Sequence, residues 1–427
     1  MSVTYENNSV KRIRMSTRWR VITLIFVLYT INCIDRISLS LAMPGITKDF
    51  AISPEVQGII LSSFFWAYCA FQLPGGYLVD RIGAKRVLGV TSIFWGFFAA
   101  IGGLAMGGFT LILSRLGLGA FEAPFMPAAN KIVAQWLPGS ERSRGITLID
   151  SGAALGSAVG AIIVSSLIVW FGSWRAAFLI TGIISMVIAY LVYRRVKEHP
   201  HEHPAITEKE LEFISSSSHE DTHHAGVPSN GDSIGKSNKL SILFMFLGRM
   251  GFAMVFFGLV TWGPSYLVHE RGMSLQYSGL ATFFIFLAGT LGEISGGIIS
   301  DRFRGKATFS RTLRLLFLAS GTVSLLSLLS LGHIQSSFVA VAVICIGFYF
   351  EMFGGLYWLI PGMIAPHKNI GFVGGVLNFA GQVGGATVGI VSGIIVQHYG
   401  YSTMMYYYAG CAALYLVCSQ FIKLKNQ

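Results

Sequence analysis

Charge is scarce in this sequence. Only 12% of its 427 residues are Asp, Glu, Lys or Arg, where an ordinary soluble domain carries roughly 25%. That scarcity excludes a water-soluble globule. Cysteine is scarce too. Cys33, Cys69, Cys345, Cys411 and Cys418 all lie in apolar stretches and show no metal-ligand spacing. They imply no disulfide framework and read as small core residues. No metal motif, nucleophile elbow or nucleotide loop occurs, so an enzyme is not expected, and neither is a cofactor or metal. Regular polar–apolar alternation is also missing, which argues against barrel strands.

Long apolar runs fill the chain instead. The hydrophobic fraction is 53%. Runs of about 20 residues, enough to cross a bilayer, occupy roughly 20–42, 56–79, 87–106, 109–132, 145–168, 174–195, 241–268, 275–300, 312–332, 336–364, 371–396 and 401–423. Lipid offers the backbone no hydrogen-bond partners, so such spans must be helical. The first run exceeds a signal-peptide core and lacks a small-residue cleavage site after it, so it reads as a retained helix.

A net charge of +11 raises the question of nucleic acid, and the charge distribution answers it. If the N-terminus lies inside, most of the 31 Lys and Arg fall in the inside segments, and only Lys48, Arg175 and Arg271 fall outside. That asymmetry is the positive-inside pattern. The expectation is a multi-pass protein of the cell (inner) membrane with both termini cytoplasmic. Its basic charge meets anionic lipid and no nucleic acid. A monomer is expected.

The chain divides into a basic cytoplasmic tail (1–19), six spans (20–195), a cytoplasmic linker (196–240), and six further spans with a short cytoplasmic tail (241–427). The linker holds His199, His201, His203, His219, His223 and His224 together with four consecutive serines at 215–218. It reads as a partly disordered segment with a short amphipathic helix near 206–214. No span supplies the histidines with partners at metal-ligand spacing. The two halves echo each other. Gly76-Tyr-Leu-Val-Asp80-Arg81-Ile-Gly83-Ala-Lys85-Arg86 follows the second span, and Gly297-Ile-Ile-Ser-Asp301-Arg302-Phe-Arg304-Gly-Lys306 follows the eighth. The interval from Asp80 to Asp301 equals that between the starts of the first and seventh spans. Phe171-Gly172 likewise matches Tyr399-Gly400. The predicted fold class is therefore an all-α membrane protein of twelve transmembrane helices in two pseudo-symmetric six-helix bundles. Such duplication marks transporters whose substrate site lies between the repeats.

Inside the spans, four charges stand out. Arg36 lies beside Asp35 in the first, and Arg115 precedes Glu122 in the fourth. A charge in mid-bilayer costs roughly 3 kcal/mol or more and persists when it faces a cavity or a partner. Arg115 and Glu122 are about two helical turns apart and share a face, whereas Asp35 and Arg36 point about 100° apart. One of the latter can face the fourth helix while the other faces the cavity. Arginine suits a carboxylate because its planar fork binds both oxygens. A carboxylate whose arginine is recruited by substrate takes up a proton more readily, so anion and proton favour each other's binding. Tyr68, Tyr357, Trp358 and Asn378 can supply hydrogen bonds and a stacking surface to a polyol chain. The glycine series at 152, 156 and 160, and at 374, 375, 381, 384 and 385, predicts close helix contacts.

The Gly-x-x-x-Asp-Arg-x-Gly-x-basic-basic loop resembles the signature loop of the major facilitator superfamily. Asp80 can cap a neighbouring helix start. In that superfamily the loop is a conformational latch, so the resemblance implies gating roles for Asp80 and Arg81 and for Asp301 and Arg302 of the second copy. Further motifs narrow the likeness: Asn32-Cys33-Ile34-Asp35-Arg36, Gln72-Leu-Pro74-Gly-Gly76, Arg115 through Glu122-Ala-Pro124, Trp136-Leu-Pro138-x-x-Glu141-Arg142, Thr261-Trp262-Gly-Pro264 and Gly374-Gly375-Val-Leu-Asn378. Together they resemble the anion:cation symporter branch, which includes hexonate, hexuronate and glucarate permeases. The likeness covers nearly the whole chain outside tail and linker. It implies a proton-coupled symporter that imports a small organic anion, a sugar acid first among them, by alternating access. Asp35 and Glu122 would be the proton-linked acids. Arg36 and Arg115 would be the charged pair that responds to them, and Tyr68, Trp358 and Asn378 would contact the sugar acid; the chemistry of the residues adds Arg36, Arg115 and Tyr357 as substrate-binding candidates. The galactonate-type pattern has Gln where this chain has Ala153 in the fifth helix, and an uncharged Gln where it has Arg249. Glu293 and Glu351 are additional acids. Arg249 can snorkel to the cytoplasmic surface, and Glu293 can pair with it. The rival function is a family exporter of a drug or metabolite. Exporters of the drug:proton type carry a Gly-Pro motif in the fifth helix, and residues 151–160 contain no proline.

Overall fold

A computed structural model describes residues 16–223, 236–303, 306, 308–365 and 370–424. The basic tail up to residue 15, linker positions 224–235 with His224, and Arg304 lie outside the described residues. In the first half the membrane helices are α1 (Thr17–Phe50), α2 (Pro54–Ile82), α3 (Ala84–Gly102), α4 (Gly108–Trp136), α5 (Gly139–Phe171) and α6 (Trp174–Arg195). The second half adds α7 (Lys236–His269), α8 (Leu275–Phe303), α9 (Phe309–Ser330) and α10 (Ser337–Ile364). A final stretch, Ile370–Phe421, comprises α11 and α12. Its apolar part runs 49 residues, roughly 70 Å as one helix and more than twice a hydrocarbon core. Gly400 divides it, with φ 82° and ψ 174°. Gly172, its counterpart between α5 and α6, also has positive φ, 62°. Both turns need a backbone conformation that side chains disfavour, which explains the repeated aromatic–Gly pair. Among the described residues the count is therefore twelve spans.

Two helices are broken where the sequence dictates it. α4 turns at Ala123–Pro124, since Pro124 has no N–H to continue the ladder. α10 tightens into a 3-10 stretch over Met352–Leu359, which contains Gly354 and Gly355. The linker helix runs over Glu208–His223, longer than the periodicity predicts.

Packing repeats between the halves. α1 lies on α5, α2 on α4, and α3 on α6; α8 lies on α10, α9 on α12, and α7 on the α11–α12 stretch. The glycine series of α5 sits against α1: a Cβ on Gly152 would meet Thr30 at 3.0 Å, and one on Gly160 would meet Ile37 at 3.0 Å. In α11, Gly384 and Gly385 are equally tight, against Met250 and Phe65. Gly374 and Gly375 face open space instead, so that part of the expected close packing is not made in this state.

Contacts between the halves gather at one end, where α1 passes into α2. Gln57 donates to Ser265 at 3.2 Å, and His398 meets Glu55 at 3.2 Å. Gly58 lies on the Gly389 carbonyl, and Gly279 lies on Ser165. At the opposite end, next to the linker, Asp80, Arg81, Asp301 and Arg302 are all exposed. Among the described residues, two acids of the linker hold it to the first half. Glu198 accepts from the Ala84 and Lys85 N–H groups, 2.8 Å each, and Glu210 accepts from the Arg18 N–H at 2.9 Å. The helix-capping role expected of Asp80 falls to a different acid. Glu198 caps α3, and Asp80 meets Lys131 at 3.3 Å.

Candidate functional site

Between the halves lies a cavity of about 600 Å³, within the range for small-molecule sites. Its wall includes Asn130, Asp150, Gly374 and Gly375, in the linker-side portions of their helices. The cavity therefore runs toward the end where the halves stand apart.

Four predicted binding residues lie on this wall: Arg36, Tyr68, Trp358 and Asn378. Tyr357 does not. It is buried, its hydroxyl lies 2.6 Å from that of Ser419, and its ring packs on Phe317. In this state Trp358 lies on the wall and Tyr357 lies off it.

The charged group is layered. Arg36 reaches the cavity and forms an ion pair with Glu122, its guanidinium lying 4.9 Å from the Phe64 ring centroid. Glu122 is buried behind it. Asp35, one residue earlier, turns to α6 and accepts from the Ser185 hydroxyl. Arg115 is also buried. It donates to the Asp35 main-chain carbonyl at 3.4 Å and lies over the Phe178 ring at 5.2 Å. The roughly 100° between neighbouring side chains thus splits Asp35 from Arg36 as helix geometry requires. α1, α4 and α6 are tied together by the buried Asp35, Arg115, Glu122 and Ser185, with Arg36 at the edge of the cavity.

The second half supplies Arg249 and Glu293 to the wall, and the first half adds Asp150. Arg249 does not snorkel to a surface. Its guanidinium sits over Phe252 at 4.9 Å and Trp358 at 5.6 Å, and among the described residues it has no ion pair. Asp150 and Glu293 lie within its electrostatic reach. Glu351 lies elsewhere, fully buried in α10, where its main-chain carbonyl accepts from Ser320. Sequence reasoning missed Asp150, Gln72, Asn130 and Gln382 as wall residues. Asp150 carried a signal, an acid inside a span, masked by its position near the start of that span. The amides carried none beyond helical facing. Ala153 lies on the wall, so the departure noted there concerns the cavity surface. Among the described residues no group of three metal-ligating side chains comes together.

The Major Facilitator Superfamily model matches residues 25–389. The chain is 29% identical to the Escherichia coli "Probable galactarate/D-glucarate transporter GarP", covering 96% of each chain. It is 30% identical to a Bacillus subtilis "Hexuronate transporter" over 92% of each, and 27% identical to an Escherichia coli "D-galactonate transporter" over 93% of each. Among solved structures, a bacterial homolog of the human lysosomal transporter Spinster, inward-facing and occupied, gives a TM-score of 0.76 at 16% identity, covering 95% of this chain and 96% of that one. A D-xylose-proton symporter gives 0.75 at 13% identity, covering 96% and 99%.

Proposed function

The chain belongs to the Major Facilitator Superfamily and is a multi-pass membrane transporter rather than an enzyme, and from that premise we propose that it imports a sugar-acid anion together with protons across the cell inner membrane, with both termini cytoplasmic. The carrying observation is Arg36, a cation on the cavity wall whose side chain is held by the buried acid Glu122. A substrate carboxylate competes with Glu122 for the same guanidinium fork. Once Arg36 turns to substrate, Glu122 is a buried carboxylate without its cation, and taking a proton removes the cost of that charge. Substrate and proton then promote each other's binding. Asp35 and Arg115 respond behind this pair through the α1 backbone. Tyr68 and Asn378 offer hydrogen bonds to hydroxyls, and Trp358 offers a ring face. Opening then alternates between the two ends, with Asp80–Arg81 and Asp301–Arg302 as the latch on the linker side. The names of the similar transporters support the substrate class.

The test is uptake by the purified protein in liposomes, with labelled galactarate, glucuronate and galactonate and an imposed pH gradient. Accumulation of at least one acid above equilibrium, abolished by dissipating the gradient, is expected. Glu122→Gln should retain substrate exchange and lose gradient-driven accumulation. Undiminished concentration of substrate by Glu122→Gln would remove Glu122 from the coupling role.

A further inference from the structure

Arg249 is the least satisfied cation of the cavity. It projects from α7 into the space that Arg36 reaches from α1. Arg36 has Glu122; Arg249 has aromatic faces and no ion pair among the described residues, and its buried Nε, like that of Arg36, lacks a hydrogen-bond partner. A guanidinium placed at membrane depth without a directly bonded anion is costly to the protein alone. The cost is offset when an incoming anion completes the site. Asp150 and Glu293 do not fill that role, since neither comes within ion-pair distance.

We propose that Arg249 is a second carboxylate anchor, so that the cavity is built for a dicarboxylic sugar acid whose two ends are held from opposite halves by Arg36 and Arg249. The proposal rests on the sugar-acid reading and deepens it. Two anchors on separate bundles also give the substrate a mechanical role. A dianion bridging them draws the halves together, whereas a monoanion engages one half and leaves Arg249 unmet. The aromatic faces of Phe252 and Trp358 hold the guanidinium in place between cycles. Asp150 and Glu293 share the wall, so a second carboxylate there is accommodated with protons on these acids, which links the second charge to proton binding.

Galactarate and galactonate make the decisive pair of probes. They share the stereochemistry of the four inner carbons and differ only at carbon six, which is a carboxylate in one and a hydroxymethyl in the other. Their affinities for the purified protein are measured by calorimetry at one pH, in wild type, Arg249→Gln and Arg249→Lys. Wild type is expected to bind galactarate more tightly. The galactarate-to-galactonate affinity ratio should fall about 10-fold or more in Arg249→Gln, as for loss of a charged hydrogen-bond pair, and by less in Arg249→Lys. Wild-type preference for galactonate overturns the proposal without any variant, and so does an unchanged ratio in Arg249→Gln. Binding of neither acid, nor of other sugar acids, sinks the sugar-acid reading itself, whereas galactonate binding with no gain from the second carboxylate sinks only the second anchor.

Discussion

At the scale of single residues, the cavity separates two arginines that the sequence presented as a pair. Arg36 is on the wall, and Arg115 is behind it, bonded to main chain. Lysine keeps the charge and loses the fork. Arg36→Lys should therefore weaken substrate binding about 10-fold or more, while Arg115→Lys should leave affinity nearer to wild type and slow turnover. Affinity and turnover measured together check this, and equal loss of affinity in both variants contradicts the layering. Ala153 tests hydroxyl recognition. It faces the cavity, so Ala153→Gln adds an amide where substrate passes, and a site that gains a donor discriminates more sharply among hydroxyl patterns. Competition between hexonates, uronates and aldarates should change in rank order; an identical ranking would show that this position lies off the bound substrate. The charges of α1 and α4 were legible because ionisable groups in apolar runs are conspicuous, whereas Asp150, near the start of α5, was not. Helical spacing also foretold that Asp35 and Arg36 diverge. Tyr357 was not legible, because a 3-10 stretch and an open cavity decide which neighbour faces inward, and neither can be read from residue type. Gln72, Asn130 and Gln382 escaped because an amide in a span looks the same whether it faces a cavity or a neighbouring helix.

At the scale of elements, the first half is fastened at its linker end by acids placed against helix starts. Glu141, at the start of α5, accepts from the Arg18 fork at 2.8 and 3.1 Å and from the Trp19 indole at 3.1 Å. Hydrogen bonding from Arg18 holds its carboxyl below the usual carboxylate range. A lowered value in the folded state means stability present above the unfolded value, about 4.3, and lost as pH falls through the folded one. Glu141→Gln should therefore destabilise the protein by about 1–2 kcal/mol at pH 7, with the gap from wild type closing as melts are taken down to pH 3.5. A gap that stays constant would place its origin in shape rather than charge. This clasp was not visible beforehand, although Glu141 stands in one of the motifs that carry the family likeness. The pairing joins residues far apart in sequence, and only the fold brings α1, α5 and the linker helix together. The spans, by contrast, were legible nearly in full, because length and hydropathy alone identify a helix that must satisfy its own backbone in lipid. Even the merged final stretch divides where the sequence predicts, since Gly400 repeats Gly172.

At the scale of the molecule, the halves touch at one end and part at the other, and small residues make the closed end possible. α2 meets α11 where Gly58 lies on Gly389, and α5 meets α8 where Gly279 lies on Ser165. A Cβ on Gly58 would approach the Gly389 carbonyl at 2.5 Å and the Ile390 Cα at 3.2 Å. Both contacts are with backbone, which cannot rotate aside, so a larger side chain must push the two halves apart. Gly58 belongs to a helix of one bundle, and the atoms its Cβ would meet all belong to the other, which spares the internal packing of either. Gly58→Leu is thus expected to shift the population toward the state open at this end rather than unfold the protein. The reporter is Ser157→Cys in a background lacking native cysteines, since Ser157 lines the cavity. Added from the closed side, a membrane-impermeant maleimide should label this cysteine slowly with Gly58 present and several-fold faster once Gly58→Leu is introduced, while labelling from the linker side falls. Transport should drop because return to the closed arrangement is blocked. If labelling from both sides rises together, the substitution has loosened the protein generally; if neither changes, the glycine contact does not control which end is open.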